Sequence, residues 1–207
     1  MNMKKYFLAS LFFLYTIQIF AQKAPQEWYL DLNINRYMPT EKWQESRIGI
    51  GIGSKMFMPL KKKFVFKSSV DILLNTYSDG PFQVTDNIGQ SLGNFGNATV
   101  DLSVGLIPTI HYSLHKDFSI GTGIGLRTLL ASVTAYDGNA QLKNTTANDY
   151  YKRFMPVLPI EMSLKINKVL LNLRYEYSLL NKIKGDLADY KTERYGILSL
   201  EIGYKIK

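Results

Sequence analysis

Cysteine is absent from this chain of 207 residues, and histidine occurs only twice, at His111 and His115. Without cysteine the fold contains no disulfide, no thiolate metal site and no acylated cysteine that would anchor a lipoprotein. Two histidines without cysteine do not provide the ligand set of a transition-metal site. We therefore expect a protein that holds no metal and no other cofactor.

Long apolar runs are also missing beyond the first 22 residues, because no later segment has 18 uncharged apolar residues in succession. A transmembrane helix needs about that many, so the sequence predicts none. The formal net charge of +8 is spread along the chain. No basic tract interleaved with aromatic residues occurs, and we therefore expect no nucleic acid as a partner.

Residues 1–21 have the parts of a secretory signal peptide. Lys4 and Lys5 form the positively charged n-region, and the apolar h-region follows. Ala21 is a suitable last residue before the cleavage site. A retained anchor helix is the alternative, but the apolar run is short for a span of about 20 residues. We predict a cleaved signal peptide followed by one domain over 22–207.

Alternating side chains over residues 98–130 give the clearest structural signal. Apolar residues take every second position of the first half, from Ala98 to Leu106, and small, polar or charged residues lie between them. A turn at 115–117 follows, and the alternation then resumes. A period of two is typical of a β-strand, whose successive side chains point to opposite faces.

The same period recurs along the chain and predicts eight strands. Their approximate spans are 28–35, 47–58, 64–76, 98–114, 118–130, 157–166, 170–179 and 194–206. Long and short connections alternate, and the two longest predicted loops are 77–96 and 136–152. Transmembrane barrels have an even strand count, short periplasmic turns and long outer loops. We therefore predict an all-β fold: an eight-stranded antiparallel up-and-down transmembrane β-barrel with both termini periplasmic.

The period alone does not say which face of the strands is outside. A soluble lipocalin-like barrel encloses its apolar side chains around a hydrophobic ligand, whereas a membrane barrel turns them toward lipid. No charged residue occupies the apolar face, where Lys or Arg at the bilayer midplane would cost about 2–4 kcal/mol. The other face carries two rows of glycine: Gly49, Gly51, Gly53, Gly121, Gly123 and Gly125. These features favour lipid outside, and the soluble ligand-binding barrel is the alternative.

Charges of both signs share the glycine-bearing face. Eight strands leave an interior just wide enough to be filled by side chains, and charges enclosed there need partners of opposite sign. We therefore predict an interior charge network that consists of Asp31, Lys67, Asp71, Asp101, Arg127, Glu161, Arg174, Glu176 and Glu201. Lys165 and Lys205 lie on the same face and are expected to add positive charge to it.

Four of the alternating segments resemble known proteins: GLIPTIHYSL at 105–114, SIGTGIGLRTLL at 119–130, MPVLPIEMSLKI at 155–166 and LNLRYEYSLL at 171–180. They are similar to the small outer-membrane β-barrel proteins common in Bacteroidetes, of the PorT-like and OmpA-type groups. The resemblance implies an outer-membrane location and an eight-stranded barrel. It brings no catalytic residue with it.

Catalysis is not expected, although some eight-stranded outer-membrane barrels modify lipid A. A deacylase of that kind needs a serine, a histidine and an acid on its outer, lipid-facing surface. His115 lies in a predicted short turn and His111 lies near it, so both are predicted to be turn and interface residues at the periplasmic end. We predict a protein that is not an enzyme, with a lipid A-modifying enzyme as a further alternative.

The long polar loops are the remaining functional signal, because loops carry function on a rigid scaffold. We expect a structural role, or binding of an extracellular ligand or protein at loops 77–96 and 136–152. The expected surroundings are outer-membrane lipid and lipopolysaccharide, and the expected state is a monomer. Eight strands are too few for an aqueous channel, so we predict no open pore.

Overall fold

The computed structural model describes residues 26–39, 44–85, 91–136, 152–182 and 194–207. The predicted signal peptide and most of the predicted loop 136–152 lie outside these residues. No α-helix in the described part of the chain has the length and hydropathy needed to span a bilayer.

Ten strand segments make up the described fold. They are β1 (Glu27–Pro39), β2 (Gln44–Ser46), β3 (Ile48–Lys61), β4 (Phe64–Thr85), β5 (Ser91–Ser113), β6 (Phe118–Gly123), β7 (Gly125–Tyr136), β8 (Phe154–Ile166), β9 (Val169–Ser178) and β10 (Tyr195–Lys205). β2 is short and pairs with β4 beyond the end of β3.

The antiparallel pairings between these segments close the sheet on itself. β1 pairs with β10 on one side and with β3 on the other. β3, β4 and β5 follow in order, and β8, β9 and β10 lead back to β1. β6 and β7 are consecutive parts of one strand, interrupted at Ile124, and both pair with β5 and with β8. The described residues thus form an eight-stranded up-and-down β-barrel, which confirms the predicted all-β, antiparallel up-and-down architecture.

The two ends of the barrel differ in their connections. At the short-turn end, turns of two to four residues join β3 to β4, β5 to β6 and β8 to β9. β1 starts and β10 ends there, and the amide of Trp28 donates to the carbonyl of Lys207 at 3.1 Å. Lys62 and Asn167 in two of these turns have φ values of 49° and 54°, as tight turns require. We call the opposite end the long-connection end.

The strand register aligns apolar residues with apolar residues. Leu32 of β1 lies opposite Ile202 of β10 and Ile52 of β3, and these side chains are 68%, 51% and 58% exposed. The next residue, Asn33, lies opposite Glu201, and both are buried. Apolar side chains therefore face outward at these positions, and polar side chains face inward.

We call the outward-facing large hydrophobic residues of the strands the apolar belt. Every strand of the closed ring contributes to it. Its exposed members include Leu30, Leu32, Ile34, Ile50, Ile52, Phe64, Val70, Ile72, Leu74, Val100, Leu106, Ile110, Ile120, Leu126, Leu130, Leu158, Ile160, Met162, Leu164, Leu173, Leu198, Leu200 and Ile202.

The predicted loop 77–96 is wrong, because strands continue through most of it. β4 runs to Thr85 and β5 starts at Ser91, and Phe82 lies opposite Phe95 in their shared hairpin. Glycine, asparagine and aspartate in this stretch are turn signals, yet pairing within the hairpin satisfies its backbone groups. Strands that project past a barrel need not bury one face, so apolar alternation is not required of them.

Substitution of Gly123 by alanine tests how closely the neighbouring strands pack. An alanine Cβ at this position would overlap the carbonyl oxygen of Pro108, a backbone atom of β5. At Gly203, an added Cβ would meet its nearest neighbours, the side chains of Leu170 and Tyr29, at the ordinary contact distance of 3.4 Å. We expect Gly123→Ala to lower the free energy of unfolding by about 1–3 kcal/mol in urea titrations, and Gly203→Ala to leave it nearly unchanged. Equal stability of the two variants would contradict the described packing.

Candidate functional site

The barrel interior contains all nine residues of the predicted charge network, and each is at most 5% exposed. Alternation along the strands places them there, because side chains two residues apart share a face. The contributing strands are β1 (Asp31), β4 (Lys67, Asp71), β5 (Asp101), β7 (Arg127), β8 (Glu161), β9 (Arg174, Glu176) and β10 (Glu201).

Two arginines and two acids form the centre of this interior. Arg127 donates from Nε and Nη2 to the two carboxylate oxygens of Glu176 at 2.9 and 2.7 Å, and from Nη1 to Asp71 Oδ1 at 2.9 Å. Arg174 contacts the same two acids, donating from Nη2 to Asp71 Oδ2 and placing Nε 2.8 Å from Glu176 Oε1. Two-pronged arginine–carboxylate pairs are strong and directional. These four side chains tie β4, β7 and β9 together across the interior.

Glu201 and Lys55 extend the central group. Nη2 of Arg174 lies 2.8 Å from Glu201 Oε1, and Nζ of Lys55 lies 2.9 Å from Glu201 and 2.6 Å from Asp31. Lys55 is buried and was not among the predicted residues. It continues the inward-facing row of glycines on β3, so the alternation of that strand could have identified it.

Glu161 is the shared partner of several polar side chains in the part of the interior nearer the short-turn end. Lys67 Nζ at 2.6 Å, His111 Nε2 at 2.8 Å and Thr109 Oγ1 at 3.2 Å all contact Glu161 Oε2. The other carboxylate oxygen lies 3.9 Å from Nη1 of Arg174. Within the described interior, these contacts and those of the central group join eight of the nine predicted residues.

Asp101, the ninth predicted residue, belongs to a separate cluster nearer the long-connection end. Its Oδ2 lies 2.7 Å from Nζ of Lys182, which also donates to Tyr77 Oη at 2.7 Å. The same ammonium group lies 4.5 Å from the ring centroid of Tyr77 and 5.2 Å from that of Tyr37. Tyr37 stacks on Tyr77 and on Tyr195. Sequence reasoning missed Lys182, because it follows β9 in a connection that has no periodic pattern.

A cavity of about 20 Å³ lies between Arg127 and the cluster that contains Asp101 and Lys182. Asn75 also lines this cavity. A water molecule needs about 10–15 Å³ of such space, so this cavity has room for about one. Oδ1 of Asn75 and Oδ1 of Asp101 form no hydrogen bond with the described residues. Side chains therefore fill nearly all of this part of the interior.

His111 is not the turn and interface residue that its sequence position predicted. Its side chain is fully buried, and its ring nitrogens lie 3.2 Å from Ser119 Oγ and 2.8 Å from Glu161 Oε2. It takes an inward position on β5 opposite Gly121, whose lack of a side chain leaves room for the imidazole ring. His115 does lie on the exposed turn.

Lys165 and Lys205 lie at the short-turn end and do not join the connected interior network. Nζ of Lys205 is 2.7 Å from one oxygen of Glu27, and Nζ of Lys165 contacts the other. All three side chains are partly exposed. The expectation that both lysines add charge to the interior network is therefore wrong, because their strands have reached the rim of the barrel at these positions.

Metal binding and cleavage of a lipid acyl chain each require a particular set of side chains. No set of three or more histidine, aspartate or glutamate side chains within the described ranges is placed to hold a metal ion. Ser119, His111 and Glu161 do bring a serine, a histidine and an acid together. They lie inside the closed ring, however, whereas cleavage of a lipid acyl chain requires a serine on the lipid-facing surface.

No family model and no curated protein matches the sequence. Among solved structures, the fold is similar to that of Neisserial surface protein A, with 12% identity, a TM-score of 0.44, and coverage of 86% of this chain and 96% of that chain. It is also similar to Ail, the attachment invasion locus protein of Yersinia pestis, with 13% identity, a TM-score of 0.45, and coverage of 87% and 98%. A third similar fold is that of the outer membrane protein OprG of Pseudomonas aeruginosa, with 9% identity, a TM-score of 0.36, and coverage of 88% of this chain and 97% of that chain. At such low similarity, the barrel assignment depends on the strand pairings of this chain alone.

Arg174 tests the energetic importance of the central group. Arg174→Leu removes the cation that contacts Asp71, Glu176 and Glu201 and leaves buried carboxylates undercompensated. Breaking a buried ion pair in this way costs about 3–5 kcal/mol. We expect that loss in the free energy of unfolding, measured by urea titration of refolded protein.

Arg153→Leu is the matched control, because it removes the same group from an exposed position. Its effect should stay within about 0.5 kcal/mol. Equal effects of the two substitutions would show that the interior contacts contribute no specific stability.

Proposed function

We propose that this chain is an integral outer-membrane β-barrel protein with a filled, charged interior and a structural or binding role at its long-connection end. The observation that carries the proposal is the apolar belt, because leucine, isoleucine and valine side chains lie outside the ring while ion pairs lie inside it. Water-soluble proteins have the reverse arrangement. A contiguous exposed apolar surface marks contact with a membrane or a partner.

The height of the apolar belt fits a bilayer. On β4 it extends from Phe64 to Leu74, a stretch of eleven residues. At about 3.3 Å per residue and a strand tilt of about 40°, this stretch rises by about 25 Å, which is the height of the apolar band in outer-membrane barrels. On β1 the belt is interrupted at Arg36, whose Nε donates to Ser46 Oγ at 2.6 Å, and only Met38 lies beyond it on the outward face.

A closed ring with a filled interior supports a non-conducting monomer. Arg127, Arg174 and their acidic partners occupy the space through which ions would pass. Ring closure also leaves no free strand edge in the described barrel for a second copy to pair with. We therefore assign the barrel no pore function.

The β4–β5 hairpin supports a binding role at the long-connection end. The two strands have 22 and 23 residues, about twice the 9–11 residues that cross a bilayer, so the hairpin extends past the belt. We place this end outside the cell, where lipopolysaccharide or an extracellular ligand or protein would meet it together with segment 136–152. The short-turn end would then face the periplasm. The resemblance of segments 105–114 and 171–180 to PorT-like barrels of Bacteroidetes supports the same location.

The two alternative functions fit the structure less well. A lipocalin-like protein needs an apolar interior for its hydrophobic ligand, whereas this interior holds Arg127, Arg174 and their acids. A lipid A-modifying enzyme needs catalytic groups on the outer surface, whereas His111 and Glu161 are fully buried inside the ring.

Leu200 tests the membrane assignment. It lies in the apolar belt on β10 with 47% of its surface exposed, so Leu200→Arg would set a charge against hydrocarbon at a cost of about 2–4 kcal/mol. We expect this variant to lose most of its membrane-inserted form, measured by outer-membrane fractionation and by the heat-dependent gel mobility of folded barrels.

Glu45→Arg adds the same group outside the belt and is the matched control. It should insert like the unmodified protein, and so should a variant with a charged substitution within 136–152. Insertion of Leu200→Arg at the level of these controls would contradict the proposal.

A further inference from the structure

The short-turn end carries a concentration of positive charge that the proposed function does not explain. The described residues of this end include eight lysines but only two acidic residues, Glu27 and Asp117. The lysines are Lys61, Lys62, Lys63, Lys116, Lys165, Lys168, Lys205 and Lys207. Lys165 and Lys205 share Glu27 as a partner, so the excess of positive charge falls on the turns.

Four of these lysines lie close together at the end of β3 and in the two neighbouring turns that follow β3 and β5. We call this group the basic corner: Lys61, Lys62, Lys63 and Lys116. Pairing of β4 with β5 brings the turns together, since the amide of Ser113 donates to the carbonyl of Lys63 at 2.7 Å. All four lysines are exposed. The acid nearest to Lys116, Asp117, lies 3.9 Å away on the same turn, which leaves the basic corner with a net positive charge.

Exposed apolar side chains lie directly beside the basic corner. Leu60, Phe64, Tyr112 and Leu114 are 48%, 47%, 37% and 53% exposed. Phe64 lies opposite Tyr112 in the β4–β5 register, and their rings meet edge to face at a centroid distance of 5.5 Å. Nζ of Lys63 lies 5.6 Å from the centroid of the Tyr112 ring. The ammonium groups of the basic corner therefore lie at the edge of the apolar belt.

We propose that the basic corner binds the headgroup of an anionic phospholipid in the leaflet at the short-turn end. The headgroup phosphate would lie among the ammonium groups of the four lysines, and an acyl chain would lie along the adjoining belt. Long lysine stems can follow apolar surface while their charged ends reach the headgroup layer. The inference rests on the proposed function, since it requires the belt to lie in a bilayer.

A lipid fits this surface better than a soluble polyanion does. A soluble acidic polymer would need only the lysines, whereas four large apolar side chains are exposed within the same patch. A phospholipid presents both chemistries next to each other, with hydrocarbon below the phosphate. The corner thereby distinguishes lipids by headgroup charge, which an apolar belt alone does not do.

Native mass spectrometry of the folded full-length barrel in detergent tests the proposal. The protein is offered equal amounts of phosphatidylglycerol and phosphatidylcholine with identical acyl chains, and the retained lipids are counted. We expect the unmodified protein to retain phosphatidylglycerol at least fivefold more often. A variant with Lys61→Gln, Lys62→Gln, Lys63→Gln and Lys116→Gln should retain the two lipids about equally.

The matched control removes four cations from the long-connection end: Arg47→Gln, Lys152→Gln, Arg153→Gln and Arg194→Gln. It should keep the fivefold preference. Equal retention of the two lipids by the unmodified protein, or equal loss of preference in both variants, would overturn the proposal. If the fourfold variant does not fold, Lys62→Gln combined with Lys116→Gln should still lower the preference at least twofold.

Heat-dependent gel mobility of the same samples separates this inference from the proposed function. A folded, heat-sensitive barrel without headgroup preference would overturn only the lipid site. A protein that stays soluble without detergent and shows no mobility shift would overturn the membrane assignment itself.

Discussion

Ion pairing inside a closed ring of eight strands is the constraint on which the structure depends. Closure forces every second side chain into a narrow space, where a charge is tolerated only beside a partner of opposite sign. Arg174 meets this requirement for acids of β4, β9 and β10 at once, through Asp71, Glu176 and Glu201. Glycine provides the necessary room, since a Cβ at Gly105 would come within 2.7 Å of Asp71 Oδ1.

The same alternation determines the outer surface. When charged and small residues occupy the interior, the intervening leucines, isoleucines and valines must face outward, as at Leu32, Ile52 and Ile202. Such a surface suits contact with hydrocarbon better than contact with water, so the interior network and the proposed membrane placement both follow from one sequence pattern. The lysines of the short turns lie at the boundary of that surface, which is where the proposed bilayer placement would put the lipid headgroups.

Strand periodicity allowed the ring and the positions of the nine interior charges to be predicted, because a side chain's face follows from its place in the alternation. Lys55 was within reach of the same reasoning, since it continues the inward row of β3. Lys182 could not be identified in this way, because its position inside the barrel depends on the path of the connection that follows β9. That connection has no alternating pattern. Residues 77–96 were mistaken for a loop, because turn-forming residues do not prevent two long strands from pairing beyond the belt.

Spin-label accessibility along β10 tests the central claim most directly. The chain has no cysteine, so single cysteines can be introduced and labelled one at a time in protein reconstituted into liposomes. Labels at Leu198, Leu200 and Ile202 should be reached by oxygen dissolved in the bilayer but not by a water-soluble nickel chelate, whereas labels at Ser199 and Gly203 should be shielded from both. Access of the nickel chelate to Leu200 as free as to a label on the exposed turn at His115 would contradict the account.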